Sequence, residues 1–434
     1  MSLTQLAKSR LADKRPVRAA LIGAGKFGSM FLAQVPTIAG LEVPVIADLD
    51  PDKVRAGLPE LGWDAKTIAA TQVTDDGGAA ASADVDVVIE ATGNPIAGTA
   101  HALAAIEAGA HVVMVNVEAD ALLGPVLARR AAAAGVVYSM AYGDQPALIA
   151  EMIDWARSTG FHVAAAGKGT KYLPAYHAIT HDQVWEHYGL TPEAAAKAGM
   201  NPRMFTSFMD GTKSALEMAA VANGCGLAAA GDGLEFPPCG AHDLAHVMAA
   251  RLSGGEFDKS GLVEVVSSLE RDGRQVHNDL RWGVYVVLEA QSDYAAACFA
   301  QYGLPTDASG RYAAMWKPFH LIGLELSISV LSAALRGEAT GTVTQFNADA
   351  VCVAKRDLAP GDVLDGEGGD MVWGRLMPAA ASLSAGALPM GLAHGPRLVT
   401  GVKAGAIVAR ADVDLDGTTT AARLRAEMEG MVFS

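Results

Sequence analysis

Apolar residues fall along this chain in short blocks, and over residues 1–160 the blocks alternate in length and period. Val17–Ile22 is an apolar run of strand length that stops at Gly23. A stretch of helical period, Phe27–Val35, follows, and then a second run, Leu41–Ala47, ends at Asp48 and Asp50. Val85–Ile89, His111–Val115 and Val136–Ser139 repeat the pattern, with helical stretches such as His101–Ala108 between them. Unbroken apolar runs suit strands buried on both faces, and strands separated by helices suit crossover connections. The spacing therefore predicts an α/β domain over 1–160, built on a doubly wound parallel sheet. Ahead of it, Met1–Pro16 reads as a short amphipathic helix.

After Phe161 the alternation stops, and His, Tyr, Trp and charged loops become frequent. Residues 161–342 are expected to form a mixed α/β substrate and dimerisation domain, whose run Leu321–Leu335 predicts a buried helix packing back on the first domain. From Asn347 short runs are punctuated by Pro360-Gly361, Gly366-Glu367-Gly368-Gly369 and Gly405, so 343–434 reads as a small β-rich module.

Composition narrows the function classes. The 434 residues are 51% hydrophobic and 19% charged, which supports several buried cores, and the net charge of −15 argues against a phosphate polymer as partner. No nucleic acid partner is expected. The apolar stretches Leu216–Ala230 and Leu321–Leu335 carry Glu217, Asn223 and Glu325 and are shorter than the roughly 18–20 residues a bilayer span needs, so no membrane association is expected. Cys225, Cys239, Cys298 and Cys352 are widely spaced, which fits reduced thiols in a cytoplasmic protein. The N-terminal stretch lacks the apolar centre of a secretory signal.

Candidate chemistry begins at Gly23-Ala24-Gly25-Lys26-Phe27-Gly28, between the first strand and its helix. Gly23 serves the tight turn, Gly25 lets the backbone approach a pyrophosphate, and Gly28 allows close packing of helix on strand. Lys26 and Phe27 open the helix, whose positive end faces phosphates. Asp48 stands at the end of the second strand, about 20 residues after the last glycine, where a carboxylate reads ribose hydroxyls and repels a 2′-phosphate. This is the dinucleotide fingerprint of the Rossmann fold, and it predicts NAD in preference to NADP. Thr92, Gly93 and Asn116, at the ends of later strands, complete the candidate cofactor set.

Four charged groups are candidates for substrate chemistry. Asp144 follows a strand in Gly143-Asp144-Gln145-Pro146. Lys168 and Lys171 flank glycines in Gly167-Lys168-Gly169-Thr170-Lys171, a pattern expected to leave backbone N–H groups free for an anion. Lys213 and Glu217 lie four residues apart on one helix face. Such pairs are usually solvated, but the remainder of this helix is apolar. Lys317 and His320 add a cation and an imidazole. His242 and His246 lack the intervening glutamate of a metalloprotease motif, and no metal is assigned to them.

These residues together resemble the 1-deoxy-D-xylulose 5-phosphate reductoisomerase-like (type II) family, itself related to homoserine dehydrogenases. The resemblance rests on the Gly23–Gly28 turn, Val117-Glu118-Ala119-Asp120 with Gly124-Pro125, Gly143-Asp144 with Pro146, Ala166–Gly169, Asp210–Lys213 through Ala220, and Pro318 with His320 and Glu325. Val351–Gly361 resembles the SAF, or β-clip, module that this family carries. The resemblance implies an oxidoreductase in which Lys168, Lys171 and Lys317 line the pocket for an anionic sugar derivative, and it implies a homodimer. Three departures shape the expectation. Asn116 is followed by Val117 where homoserine dehydrogenases have lysine, the helix reads Lys213 then Glu217 in reversed order, and Asp48 stands where NADPH-dependent members carry arginine.

The sequence thus leads to an NAD-dependent oxidoreductase, or oxidoisomerase, acting on a small anionic polyol such as a branched sugar acid or sugar phosphate. Lys168 and Lys213 are the candidate proton-handling groups, with Glu217 and Asp144 orienting them, and a divalent metal at Asp144 stays open. The alternatives are an NADPH-dependent deoxyxylulose phosphate reductoisomerase, a homoserine dehydrogenase-like enzyme and a non-catalytic NAD sensor.

Overall fold

A computed structural model describes residues 2–432 except 198, 252, 253, 256 and 258. The chain forms two compact units. The first comprises Met1–Leu148, Leu321–Thr344 and Arg423–Ser434, and the second comprises Ile149–His320 and Gln345–Ala422.

The first unit is built on six parallel strands: β1 (Val17–Ile22), β2 (Leu41–Ala47), β3 (Gln72–Thr74), β4 (Val87–Glu90), β5 (His111–Met114) and β6 (Tyr138–Met140). Their order is β3-β2-β1-β4-β5-β6, which is the expected doubly wound sheet. The direction of winding reverses between β1 and β4, so the crevice at the carboxyl ends of these two strands is where such a sheet takes its ligand. Leu21, Ile89 and Val113 in its central strands are fully buried, which explains their unbroken apolar reading. β4 starts two residues later than the apolar run suggests. Asp86 is occupied otherwise: its carboxylate accepts the Arg18 N–H at 2.8 Å and its own N–H donates to the Arg18 carbonyl at 2.9 Å.

Two segments from far along the chain complete this unit. The helix Ser327–Arg336 buries Val330 and Ala333 in one core with Leu21 and Ile89. It is shorter than the apolar run Leu321–Leu335 predicts, because Gly323 adopts φ +72° and brings the chain against the Phe27 carbonyl, where a Cβ would stand 2.4 Å away. Arg425 is 1% exposed and donates to the Leu122 carbonyl and to Glu429, while Leu424 and Met428 are buried.

The second unit holds a four-stranded sheet of β7 (His162–Thr170), β8 (Leu262–Ser267), β9 (Val284–Glu289) and β10 (Tyr312–Lys317), ordered β10-β9-β7-β8. Only β7 and β8 run parallel within it. The sheets that follow are antiparallel: β11 (Ala348–Ala354) pairs with β13 (Val372–Pro378), and β12 (Val363–Asp365), β14 (His394–Leu398) and β15 (Val413–Asp414) form a three-stranded sheet. The helix Thr212–Cys225 is tied to β11 and β13. Asn223 exchanges hydrogen bonds with the Ala348 backbone at 2.9 Å each, and the Gly374 N–H donates to Thr212 Oγ1 at 2.8 Å.

Candidate active site

The three fingerprint glycines differ in what surrounds them. Gly23 has φ +97°, and a Cβ there would lie 2.5 Å from the Ala91 carbonyl oxygen, so only glycine makes this turn beside β4. A Cβ on Gly28 would meet the Gly23 carbonyl at 2.3 Å, which is the close approach of helix to strand. At Gly25, the N-cap of helix Lys26–Gln34, a Cβ would meet nothing within 4 Å, so the space beside the first N–H groups of the helix is open to a ligand. Gly25 and Lys26 are exposed and Phe27 is half-buried. Asp48 is half-buried at the end of β2, its Oδ2 accepting the Ala24 N–H at 2.7 Å and its Oδ1 the Asp50 N–H at 3.1 Å. An open helix end beside a glycine with free space and a carboxylate at the neighbouring strand end fits a dinucleotide with an unphosphorylated ribose.

The turn after β4 is held from beneath. Glu90 is fully buried and its Oε1 accepts from Thr92 Oγ1 at 2.6 Å and from the Thr92 N–H at 3.4 Å, with His101 Nδ1 at 3.2 Å. Asn116 is 1% exposed and donates its amide to the Asn94 carbonyl at 2.9 Å and Thr92 Oγ1 at 3.4 Å. Thr92 and Gly93 are exposed at this turn, whereas Asn116 acts on it from inside. Sequence reading missed Glu90, whose signal was an acid closing the buried run Val87-Val88-Ile89.

A second buried acid lies beyond β5. Asp120 is 2% exposed on helix Val117–Ala133 and accepts a 2.5 Å hydrogen bond from the Tyr138 hydroxyl. Burial pushes its carboxyl up to about 8; the Tyr138 hydrogen bond works against this, while Glu118 and Asp144 add to the push. Asp120 and Asp144 both line a small cavity with Met114, Val117, Met140, Ala141 and Pro146. Among the described residues no group of three or more His, Cys, Asp or Glu has the arrangement to hold a metal ion.

In the second unit the structure brings Lys168 and Glu217 together. Lys168 Nζ forms an ion pair with Glu217 Oε2, with the side chains 7% and 3% exposed. Lys168 projects from β7, which lies between β8 and β9, and Glu217 from helix Thr212–Cys225. Lys213 is half-buried in the first turn of that helix. The helix start is fixed by Asp210, whose Oδ1 accepts the Thr212 N–H at 2.9 Å and whose Oδ2 pairs with Lys355 Nζ at 2.8 Å. Lys355 also donates to the Ile179 and Gly369 carbonyls at 2.8 and 2.7 Å.

The glycines around Lys168 do not form the expected anion cradle. They are interior residues of β7, and the Gly169 N–H donates to the Gly283 carbonyl at 3.0 Å. Cβ atoms on Gly167 and Gly169 would fall 1.7 and 1.9 Å from carbonyl oxygens of Glu264 and Leu280. Their role is close strand approach. Lys171 gives its ammonium to the His187 carbonyl, and burial, with the Arg281 charge, holds it below the usual lysine range. His320 Nδ1 lies 2.7 Å from the Trp282 carbonyl, and half-buried Lys317 stands 5.9 Å over the Phe319 ring.

Comparison with known proteins is decided by two regions of the chain. Residues 23–140 match the family model described as homoserine dehydrogenase, NAD binding domain, and residues 143–326 match that described as oxidoreductase DRL, catalytic domain. The chain thus carries one region similar to an NAD-binding domain and one similar to an oxidoreductase catalytic domain. Its fingerprint unit is an NAD-binding domain, and Lys168, Lys213 and Glu217 lie inside the catalytic-domain match, which ends ahead of the tail strands. No curated protein matches the sequence. Similar solved structures include an oxidoreductase domain protein from Kribbella flavida, at 20% identity over 37% of this chain and 43% of that one, with a TM-score of 0.28. They also include 1-deoxy-D-xylulose 5-phosphate reductoisomerase from Zymomonas mobilis in complex with NADPH, at 15% identity over 48% and 58%, with a TM-score of 0.34. A putative oxidoreductase from Klebsiella pneumoniae is matched at 16% identity over 74% and 85%, with a TM-score of 0.36. The chain thus spans less than half the length of the Kribbella flavida structure.

Proposed function

We propose that this oxidoreductase uses NAD to oxidise the carbinol of a small anionic polyol, a branched sugar acid or sugar phosphate, with or without rearrangement of the carbon skeleton. NAD, when bound, supplies the hydride acceptor. The Gly23–Gly28 turn and Asp48 hold it and select the unphosphorylated ribose, and Thr92 and Gly93 shape its pocket under the control of Glu90 and Asn116.

The buried Lys168–Glu217 pair carries this reading. Oxidation of an alcohol requires its hydroxyl proton to leave as the C–H bond breaks. Lys168 Nζ relays that proton: it takes the proton from the hydroxyl as it passes one of its own to the paired Glu217 carboxylate, so the ammonium persists and lies against the oxygen that becomes a carbonyl. In the reverse direction the same ammonium returns the proton to the nascent alkoxide. Lys213, Lys171 and Lys317 are proposed to supply positive charge for an anionic substrate, with His320 and Asp144 as further polar contacts. The tail strands, as an SAF-like β-clip module, and a cytoplasmic homodimer complete the proposal.

The test is turnover of NAD against a panel of sugar acids and sugar phosphates, followed as reduced nicotinamide. Lys168→Met is expected to lower kcat by about 100-fold or more, the usual worth of a positioned acid or base, while the Kd for NAD stays unchanged. NAD binding with no turnover on any panel member would favour a sensor. Faster turnover with the 2′-phosphorylated cofactor would favour the deoxyxylulose phosphate reductoisomerase reading, which Asp48 opposes.

A further inference from the structure

The second unit holds a half-open cavity of about 250 Å³ that neither Lys168 nor Glu217 lines. Three rings, His177, Phe236 and Trp373, line it together with Arg375. The rings are fixed as stacked pairs: His177 lies on Trp373 with centroids 3.7 Å apart at 20°, and Phe236 lies on Tyr172 at 3.9 Å and 18°.

The imidazole is locked as well. His177 Nδ1 stands 2.6 Å from the Asp210 carbonyl oxygen, and Nε2 is 2.8 Å from the Tyr172 hydroxyl. A carbonyl only accepts, so Nδ1 donates, and Nε2 takes the tyrosine proton. Both nitrogens are thereby engaged. Burial, together with the charges of Lys355 and Arg375, holds His177 below the usual histidine range, so the ring serves as a neutral π-surface. The Lys355 ammonium is neutralised by Asp210 at 2.8 Å. Arg375 commits Nη2 only to a neutral acceptor, the Asp232 carbonyl at 2.8 Å, and the Asp232 residue itself is exposed. Asp232 also lines the cavity but is exposed, so water screens its carboxylate more than the half-buried Arg375 guanidinium beside the flat apolar faces.

We propose that this cavity binds a small planar anion, a single ring or conjugated system carrying one carboxylate, with the ring against the aromatic wall and the carboxylate on Arg375. Its volume is just below the ~300–1,000 Å³ typical of sites for drug-sized ligands, so the occupant is small. A guanidinium offers a carboxylate two parallel donors, and aromatic walls favour a flat partner over a puckered one of equal charge.

Calorimetry on the full chain with benzoate as the probe tests the assignment. Saturable binding is expected, weakened at least tenfold by Arg375→Gln and by the cavity-filling Leu234→Trp, with both variants keeping the wild-type Kd for NAD and the wild-type melting temperature. Cyclohexanecarboxylate, which is anionic but puckered, and benzyl alcohol, which is flat but neutral, should each bind at least tenfold more weakly. Absence of saturable benzoate binding overturns the proposal, as does binding indifferent to either substitution or equal binding of either control compound. The readout involves no turnover, so it stands apart from the outcome for the oxidoreductase reaction.

Discussion

A carboxylic acid enclosed by protein, as Asp120 is, favours its neutral form because the charged form loses its water. Its carboxyl is raised from 3.8 to about 8, so folding takes up a proton as pH rises between those values. The stabilisation is complete below about 4, is lost as pH climbs to about 8, and stays lost above. Chemical unfolding measured across this range should show wild-type stability falling with pH, and Asp120→Asn, which keeps an acceptor for Tyr138, should flatten that contribution. Glu90 is a buried acid of another kind, because it orders an exposed turn. Glu90→Leu removes the acceptor of Thr92 and should weaken NAD binding by roughly tenfold, about 1.4 kcal/mol, whereas Glu90→Gln retains an acceptor and most of the affinity; titration calorimetry distinguishes them.

Among elements, the helix Thr212–Cys225 carries Lys213 and Glu217 of the proposed site and is held at both ends by the strands that follow. Lys355 from the end of β11 meets Asp210 at its start, with exposures of 2% and 0%, and Asn223 meets Ala348 near its finish. Breaking a buried ion pair on one side strands the other charge, so Lys355→Met should cost roughly 3–5 kcal/mol in denaturant unfolding. Because Asp210 sets the first turn of the helix, surviving folded protein should also lose turnover. The same helix shows where sequence reading falls short. Helical spacing put Glu217 on one face with Lys213, but its ion-pair partner Lys168 lies on a strand 49 residues earlier, and no local period encodes that pairing. Glycines beside a lysine looked like an anion cradle because their composition is the same as that of a crowded central strand; the Glu264 and Leu280 carbonyls that make the difference come from distant segments.

At the scale of the molecule, the first unit was legible because parallel strands buried on both faces leave unbroken apolar runs, and the fingerprint glycines mark the crossover from β1. In the second unit residues 161–320 were legible only as a change of texture, and the tail as a β-rich module. β7 reads His-Val-Ala-Ala-Ala-Gly-Lys-Gly-Thr, whose small residues carry little period, and its neighbours β8 and β9 begin at Leu262 and Val284, far along the chain. The run Leu321–Leu335 was read as a helix packing back on the first domain, but the return of residues 423–434 to the first unit was hidden. Ending the chain after Ala422 removes Arg425 from the Leu122 carbonyl and uncovers apolar surface, so this deletion should lower the melting temperature of the first unit and loosen its grip on NAD.

That return has a bearing on how the protein is made. The ribosome delivers all six strands of the nucleotide sheet before residue 148, yet the helix carrying Leu424, Arg425 and Met428 is synthesised nearly 300 residues later. During that interval the growing polypeptide holds a complete sheet whose outer cover does not yet exist, and the ligand itself, by stabilising that half-clad intermediate, becomes a candidate aid to biogenesis.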